Sequence, residues 1–341
     1  MTRLLLLLSV VALLASCSRT DSPPAGETVS AGDTIAKNID SPELTELNKK
    51  LLADPSNASL YHERALLYLR LKEGEAAVND AKRAIRFDST NAGYYLALAD
   101  VYFTLNQTRQ VKDLLEITEK KFPDNTEALL KLAELHWLVK QYQKGIDYVN
   151  RALRIDEHLA RAYYIKGGIY RESGDTSRAV SSLETATEQD NTYTDAFYDL
   201  GVIYSARRNP IALQYFENVL RIVPGHADAR YGRAKLLQDL GKTDAAIEAY
   251  EEMISSDKEC ARCHYNLGAI LVEIKKDRRE ALKHFNEVIR LEPGNVQAYF
   301  ARGYTYAGMG DKESARADYN MCLKIDPAFD AAAEGLNELG R

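Results

Sequence analysis

Cys260, Cys263 and His264 stand in the order C-x-x-C-H within the stretch Glu259-Cys260-Ala261-Arg262-Cys263-His264. That spacing lets two thiols and a following imidazole capture a c-type haem, and it has this meaning only in a chain that matures in an oxidising compartment outside the cytoplasm. The same pair of cysteines can instead bridge each other or remain free thiols. A thiol at the start of a helix can have its pKa lowered and become redox-active. What the stretch can do therefore depends on where the chain resides and on the elements that position it.

The compartment is written at the N-terminus. One positive charge, Arg3, precedes an apolar run from Leu4 to Ala15, followed by Ser16 and Cys17. The run is too short to span a bilayer with ease and has the form of a cleaved export signal. Leu14-Ala15-Ser16-Cys17 resembles the lipobox of bacterial lipoproteins, which implies a signal peptide over 1–16 and lipidation of Cys17; a plain secretory signal with an incidental cysteine is the alternative. A multi-chain lipid anchor would hold the protein on its membrane without inserting it. In the lipoprotein family an aspartate directly after the cysteine favours retention at the inner membrane; Ser18 stands there, so the resemblance implies the outer membrane, facing the periplasm. From residue 18 to about 40 the chain is mostly Ser, Thr, Asp, Pro, Gly and Ala, so 17–40 is expected to be a flexible tether reaching roughly 25 Å as a random coil.

Charge and motif content narrow the function classes. The chain has 44 basic against 50 acidic residues, a formal net charge of −6. Nucleic acid is not an expected partner, because phosphate binding draws on concentrated Lys and Arg. There is no Gly-rich phosphate loop, H-E-x-x-H helix or G-x-S-x-G turn. The expectation is a non-enzyme with no catalytic residues, no metal, no cofactor and no small-molecule substrate.

Internal repetition organises the rest. Small residues recur at Ala65, Ala99, Ala133, Gly167, Gly201, Ala234, Gly268 and Gly303, at steps of 33 to 35 residues. A second series, Ala77, Val111, Gly145, Ala179, Ala212, Ala246, Ala281 and Ala315, keeps the same period, so each unit holds two helices that meet at small residues. Gly201 to Ala212 is one residue short and Gly268 to Ala281 one long; insertions and deletions collect in turns, which places a turn in that interval. Gly174, Gly241 and Gly310 mark it in three other units, and Pro210 suits the first turn of a second helix.

The pattern resembles the tetratricopeptide repeat family, most fully in the unit A-Y-F-A-R-G-Y-T-Y-A-G-M-G-D-K-E-S-A-R-A-D-Y-N-M-C-L-K-I-D-P that starts at Ala298. Eight units cover 58–329, with capping helices expected over 41–57 and 330–341. The resemblance implies an all-α, right-handed superhelical solenoid whose first helices line a concave groove, and such grooves hold a peptide or a helix of a partner protein.

The repeat gives C-x-x-C-H a setting. Cys260 falls in the link between the sixth and seventh units, and Cys263 and His264 in the first turn of the next helix. His264 takes the slot of Tyr61, Tyr95, Tyr163 and Tyr299, residues that pack against the partner helix. A haem also needs an apolar pocket and usually a second ligand, so the architecture speaks against haem, while a Cys260–Cys263 disulfide and free thiols stay open. Cys322 stands where Ala84, Ala152 and Ala186 stand and reads as a small buried residue.

One position beyond the His264 slot, Tyr164, Tyr198, Tyr231, Tyr265 and Phe300 recur at repeat spacing and form the expected partner-binding row, with Arg161, Lys235 and Arg262 beside it. Aromatic anchors bury much area at low rotamer cost, although Tyr is also the family's common choice at this position. Acidic neighbours such as Asp195 and Asp228 leave no single-sign stripe. Truncating Tyr198 or Tyr231 to Ala is expected to weaken partner capture while leaving helix content and melting intact. The function that follows is a membrane-anchored periplasmic scaffold or adaptor of the bacterial envelope; the alternative is a haem-binding or thiol redox protein built on residues 260–264.

Overall fold

The structure, a computed structural model, describes residues 41–340. The signal at 1–16, Cys17 and the tether over 17–40 lie outside the described residues. Two compact units are present, one ending at Val101 and the other starting at Tyr102.

In the first unit, α1 (Pro42–Ala53), α2 (Ala58–Arg70) and α3 (Gly74–Phe87) are followed by α4 (Ala92–Thr104), which runs through the division. Ser41 caps α1 by accepting the Leu44 amide at 3.3 Å, and Pro42 suits a first-turn position because its missing N–H would have had no helical partner. Leu51, Tyr61 and Ala84 form the core between the three helices. Arg64 ties them further: its guanidinium donates to both Asp80 oxygens at 2.5 and 2.9 Å and to Asn48 Oδ1 at 2.7 Å.

The second unit continues with α5 (Thr108–Lys121), α6 (Thr126–Leu138), α7 (Tyr142–Ile155), α8 (Ala160–Glu172), α9 (Thr176–Gln189), α10 (Thr194–Ser205) and α11 (Ile211–Ile222). Then come α12 (Ala227–Asp239), α13 (Thr243–Ser256), α14 (Ala261–Ile270), a π-helical turn (Leu271–Lys275), α15 (Arg278–Leu291), α16 (Val296–Gly308), α17 (Lys312–Ile325) and α18 (Asp330–Leu339). Within repeats the even-numbered first helix packs on the odd-numbered helix that follows, as α2 does on α3 in the first unit and α6 on α7, α8 on α9, α10 on α11, α12 on α13, α14 on α15 and α16 on α17 in the second. Successive first helices also touch, α6 with α8 and α10 with α12, and α16 meets the terminal helix α18 in the same way.

Why the helices stop where they do is visible in the backbone. One left-handed residue closes the turn inside every repeat: Lys72, Asn106, Lys140, Gly174, Arg208, Gly241, Lys276 and Gly310. The amide after it reaches back to a carbonyl five residues earlier, as Asp175 does to Tyr170 at 2.9 Å and Asp311 to Tyr306 at 3.0 Å, which satisfies carbonyls the helix end leaves open.

The two irregular repeats depart from this at different points. In the fifth, Ala212 N–H bonds Asn209 O, three residues back, where Ala179 bonds Asp175, four back; the missing residue is taken from the start of α11. In the seventh, Asp277 N–H reaches Leu271 O, six residues back. The added residue is thus held in the π-helical turn at the end of the first helix, and not in the turn where sequence reasoning placed it. A π turn widens the helix by one residue without breaking the hydrogen-bond ladder, so Ile270 and Val272 both stay buried.

Large residues of the second helices fill the spaces left by the small ones. Phe216 is wedged between α10 and α12, and a Cβ added at Gly201 or at Gly232 would come within 2.7 Å of its ring. Burying such a side chain contributes about 2–3 kcal/mol, which close-packed glycines make possible. Cys322 is fully buried, as are Ala84, Ala152 and Ala186 in the equivalent slot.

Candidate functional site

Tyr164, Tyr198, Tyr231, Tyr265 and Phe300 lie on α8, α10, α12, α14 and α16, and each is half-buried. Four of the rings rest on the large residue of the following second helix: Tyr198 on Phe216 at 6.2 Å between centroids, Tyr231 on Tyr250 at 6.3 Å, Tyr265 on Phe285 at 6.0 Å and Phe300 on Tyr319 at 5.7 Å. In the fourth repeat Leu183 holds that inner place, and Tyr164 meets Trp137 edge-on at 6.5 Å and Tyr193 at 5.2 Å. Trp137 in turn lies against Gly168, where a Cβ would stand 2.1 Å from the indole. One side of every ring in the row is therefore packing. Burial pushes the phenols of Tyr164, Tyr198 and Tyr265 above the ordinary tyrosine range, so these tips stay neutral hydrogen-bonding groups.

The three cations of the row are already engaged. Arg161 on α8 donates to Glu134 at 2.9 and 2.8 Å and to Glu127 at 2.7 Å, both on α6. Arg262 on α14 reaches Asp228 on α12 at 3.0 Å, and Lys235 pairs with Asp239 one turn along the same helix. Arg161 and Arg262 are staples between successive first helices, with charge left over for a partner only at their exposed edges.

Sequence reasoning missed Asp199, the residue after Tyr198. It is 8% exposed, pairs with Arg171 of α8 at 2.5 Å, and its Oδ2 has no hydrogen-bond partner among the described residues. Burial raises its pKa, with Arg171 acting against that. His226 was missed too: its ring stacks on Tyr198 at 5.3 Å. Neither has a repeat-spaced signal of its own residue type: Asp199 stands in one unit only, and His226 takes an N-cap slot held by asparagine in other units.

At the cysteine corner, Cys260 and Cys263 are joined by a disulfide. Cys263 is wholly buried, with its sulfur 4.0 Å from Met253 Sδ. His264 is buried as well, and its Nδ1 lies 2.9 Å from Nδ1 of His284 on α15. Sulfurs joined to each other form no thioethers, and the imidazole that would ligate iron is turned into the packing against His284, so the structure gives the haem reading no support. Among the described residues, no group of three or more His, Cys, Asp or Glu is arranged to hold a metal ion, and no helix is long and apolar enough to cross a membrane.

Models of the tetratricopeptide repeat match residues 96–160, 160–193, 212–273 and 296–329. The chain belongs to the tetratricopeptide repeat family. This repeat protein is 23% identical over 358 residues to DnaJ homolog subfamily C member 3 of Rattus norvegicus, spanning 91% of this chain and 71% of that one. To DnaJ homolog subfamily C member 7 of Homo sapiens it is 24% identical over 301 residues, 80% of this chain and 61% of that one. Among solved structures, the C-terminal part of a repeat-containing protein from Cytophaga hutchinsonii superposes with a TM-score of 0.60 at 18% identity, covering 70% of the repeat protein and 98% of that chain. A tetratricopeptide repeat protein from Parabacteroides merdae gives 0.50 at 17% identity, covering 73% and 99%. At those identities the likeness shows the α-solenoid fold alone.

Proposed function

We propose that this repeat protein is a lipid-anchored scaffold of the bacterial cell envelope, held on the outer membrane through Cys17, facing the periplasm, and binding a peptide or helix of another envelope protein along its first helices. The observation that carries the reading is the row from Tyr164 to Phe300: five half-buried aromatic residues on successive first helices, each with one side on the core and an edge left to solvent. Such rings are rigid before binding, so little side-chain freedom is lost when a partner covers them. The export signal with its lipobox and the tether supply the anchor; they rest on sequence.

The test uses a photo-crosslinking residue at Val202, which is 38% exposed and one helical turn beyond Tyr198, so that no core ring is disturbed. Exposed Glu217 on α11 serves as the control. In native cells the expected result is one envelope protein trapped from Val202 and not from Glu217. Equal capture at both positions would remove the row from the binding site. Replacing Cys17 with Ser is expected to abolish lipid labelling and release the protein from the membrane fraction; retention of the variant would overturn the anchor.

A further inference from the structure

The disulfide at the head of α14 has features that packing does not require. It joins the N-cap residue to the third residue of the helix, so it closes only the first turn, and a loop so short constrains the unfolded chain less than a long one. Its two sulfurs differ in access. Cys263 is 0% exposed, whereas Cys260 is half-buried and opens on a cavity of about 530 Å³ walled by Arg230, Asp257, Glu259, Arg262 and Glu292 among others.

The slot Cys260 occupies has a second meaning. In other first helices the N-cap side chain accepts the amide three residues on: Asn57 from Leu60, Asn125 from Ala128, His226 from Ala229 and Asn295 from Ala298. In α14 no side chain makes that bond, because the capping position holds a sulfur tied to Cys263. Once the disulfide opens, Cys260 Sγ is free to accept the Cys263 amide as the other caps do, and a helix N-terminus favours a thiolate there. The reduced state thus gains a cap that the oxidised state lacks.

We propose that Cys260–Cys263 is a thiol–disulfide exchange centre that accepts two electrons from an external dithiol, with Cys260 as the sulfur attacked from the cavity. The thiolate of the dithiol attacks Cys260 Sγ. The Cys260–Cys263 bond breaks, its electron pair goes to Cys263 Sγ, and Cys263 takes the proton given up by the attacking thiol. The second thiol then attacks its neighbour's sulfur in the mixed disulfide, releasing Cys260 as a thiolate and one further proton. The dithiol ends as a disulfide, and the protein holds a capping thiolate and a buried thiol. Burial beside Met253 suits Cys263 to the neutral role. The centre stands whether or not the aromatic row binds a partner.

Dithiothreitol serves as the dithiol, acting on the oxidised full chain under native conditions, with iodoacetamide quenching and peptide mapping. The expected result is opening of the disulfide with helical circular dichroism unchanged, label appearing first on Cys260, and none on Cys322, which is fully buried. In Cys263→Ser, the Cys260 thiol is expected to react at neutral pH about tenfold faster than a free cysteine peptide. Reduction only when the helices melt, label on Cys263 ahead of Cys260, or a Cys260 no faster than the free peptide would each overturn the proposal. If Cys263→Ser does not fold, the wild-type order of labelling decides.

Discussion

Arg262 lies over the ring of Tyr231, its guanidinium carbon 4.2 Å from the ring centroid. The residue directly before Cys263 therefore reaches from α14 onto the aromatic row of α12, and the disulfide-bonded turn sets where that guanidinium stands. Asp228 holds one nitrogen at 3.0 Å, while Asn266 donates to the Tyr231 hydroxyl at 2.9 Å. A cation over an aromatic face at a partly exposed site contributes about 0.5–1 kcal/mol. A double-mutant cycle of Arg262→Ala with Tyr231→Leu is expected to return a coupling of that size in thermal unfolding. Arg262→Lys is expected to recover only part of it, because an ammonium does not stack as a planar fork does. Additive single effects would mean that the two side chains are neighbours without interaction.

The row's packing changes what a truncation test means. Tyr198 contacts both Phe216 and His226, so Tyr198→Ala removes ring contacts as well as a binding edge. The expectation that melting stays intact is therefore revised: for a half-buried ring the loss is about 1–2 kcal/mol, smaller than the range for a fully buried aromatic. Val202→Glu, at an exposed position on the same face, is expected to leave the melting temperature unchanged while reducing partner capture. If Tyr198→Ala melts like the wild type, the ring is held more loosely than its contacts indicate.

What was legible in the sequence was whatever repeats. Gly201, Gly268 and Gly303 announce themselves by spacing because each must admit a large residue, Phe216, Phe285 or Tyr319, and a small residue keeps that slot in every unit. The pairing of His264 with His284 has no such signal: the partners are 20 residues apart on different helices, and only one repeat has them. The π-helical turn at Leu271–Lys275 was visible as one extra residue, but its location depends on which backbone hydrogen bonds survive the insertion. Half-burial of the aromatic row depends on the size of the second-helix residue beneath each ring, a pairwise property that spacing alone does not express.

The trio of Arg302, Asp318 and Asn286 repeats, in another unit, what Arg64, Asp80 and Asn48 do at the first. Arg302 donates to both Asp318 oxygens at 2.8 and 2.6 Å and to Asn286 Oδ1 at 2.7 Å, binding α16 to α17 and to α15. The Asp318 side chain is 6% exposed and that of Arg302 21%, so removing the carboxylate leaves a largely buried cation unpaired. Asp318→Ala is expected to cost about 3 kcal/mol, whereas the double change Arg302→Met with Asp318→Leu costs much less, because neither charge then needs solvation. Stacked repeats unfold through their neighbours, so amide exchange in α16 and α17 reads the loss locally. A double variant as unstable as the single one would show that the helices depend on the ion pair itself.

The imidazoles of His264 and His284 share one hydrogen bond between their Nδ1 atoms, so one ring donates and the other must be unprotonated at that nitrogen. Burial, and then the proximity of His264, push His284 below the ordinary histidine range; Glu280 and Glu287 act in the opposite direction and Lys283 with it. The sign follows from the unfolded chain. Above about pH 7 neither state binds the proton and this histidine gives no pH dependence; as pH falls through the ordinary value near 6.5, the unfolded state takes up a proton that the folded state refuses, and stability declines until the lowered folded value is reached. One proton of difference gives a slope of at most about 1.4 kcal/mol per pH unit, reduced here because His284 keeps an edge in solvent. His62, also lowered by burial, adds to the slope in the same direction. Thermal unfolding at about pH 7.5 and about pH 5.5 is expected to show a melting-temperature drop that His284→Gln reduces but does not abolish, since His62 still titrates. An identical drop in wild type and variant would place the acid sensitivity outside the imidazole pair.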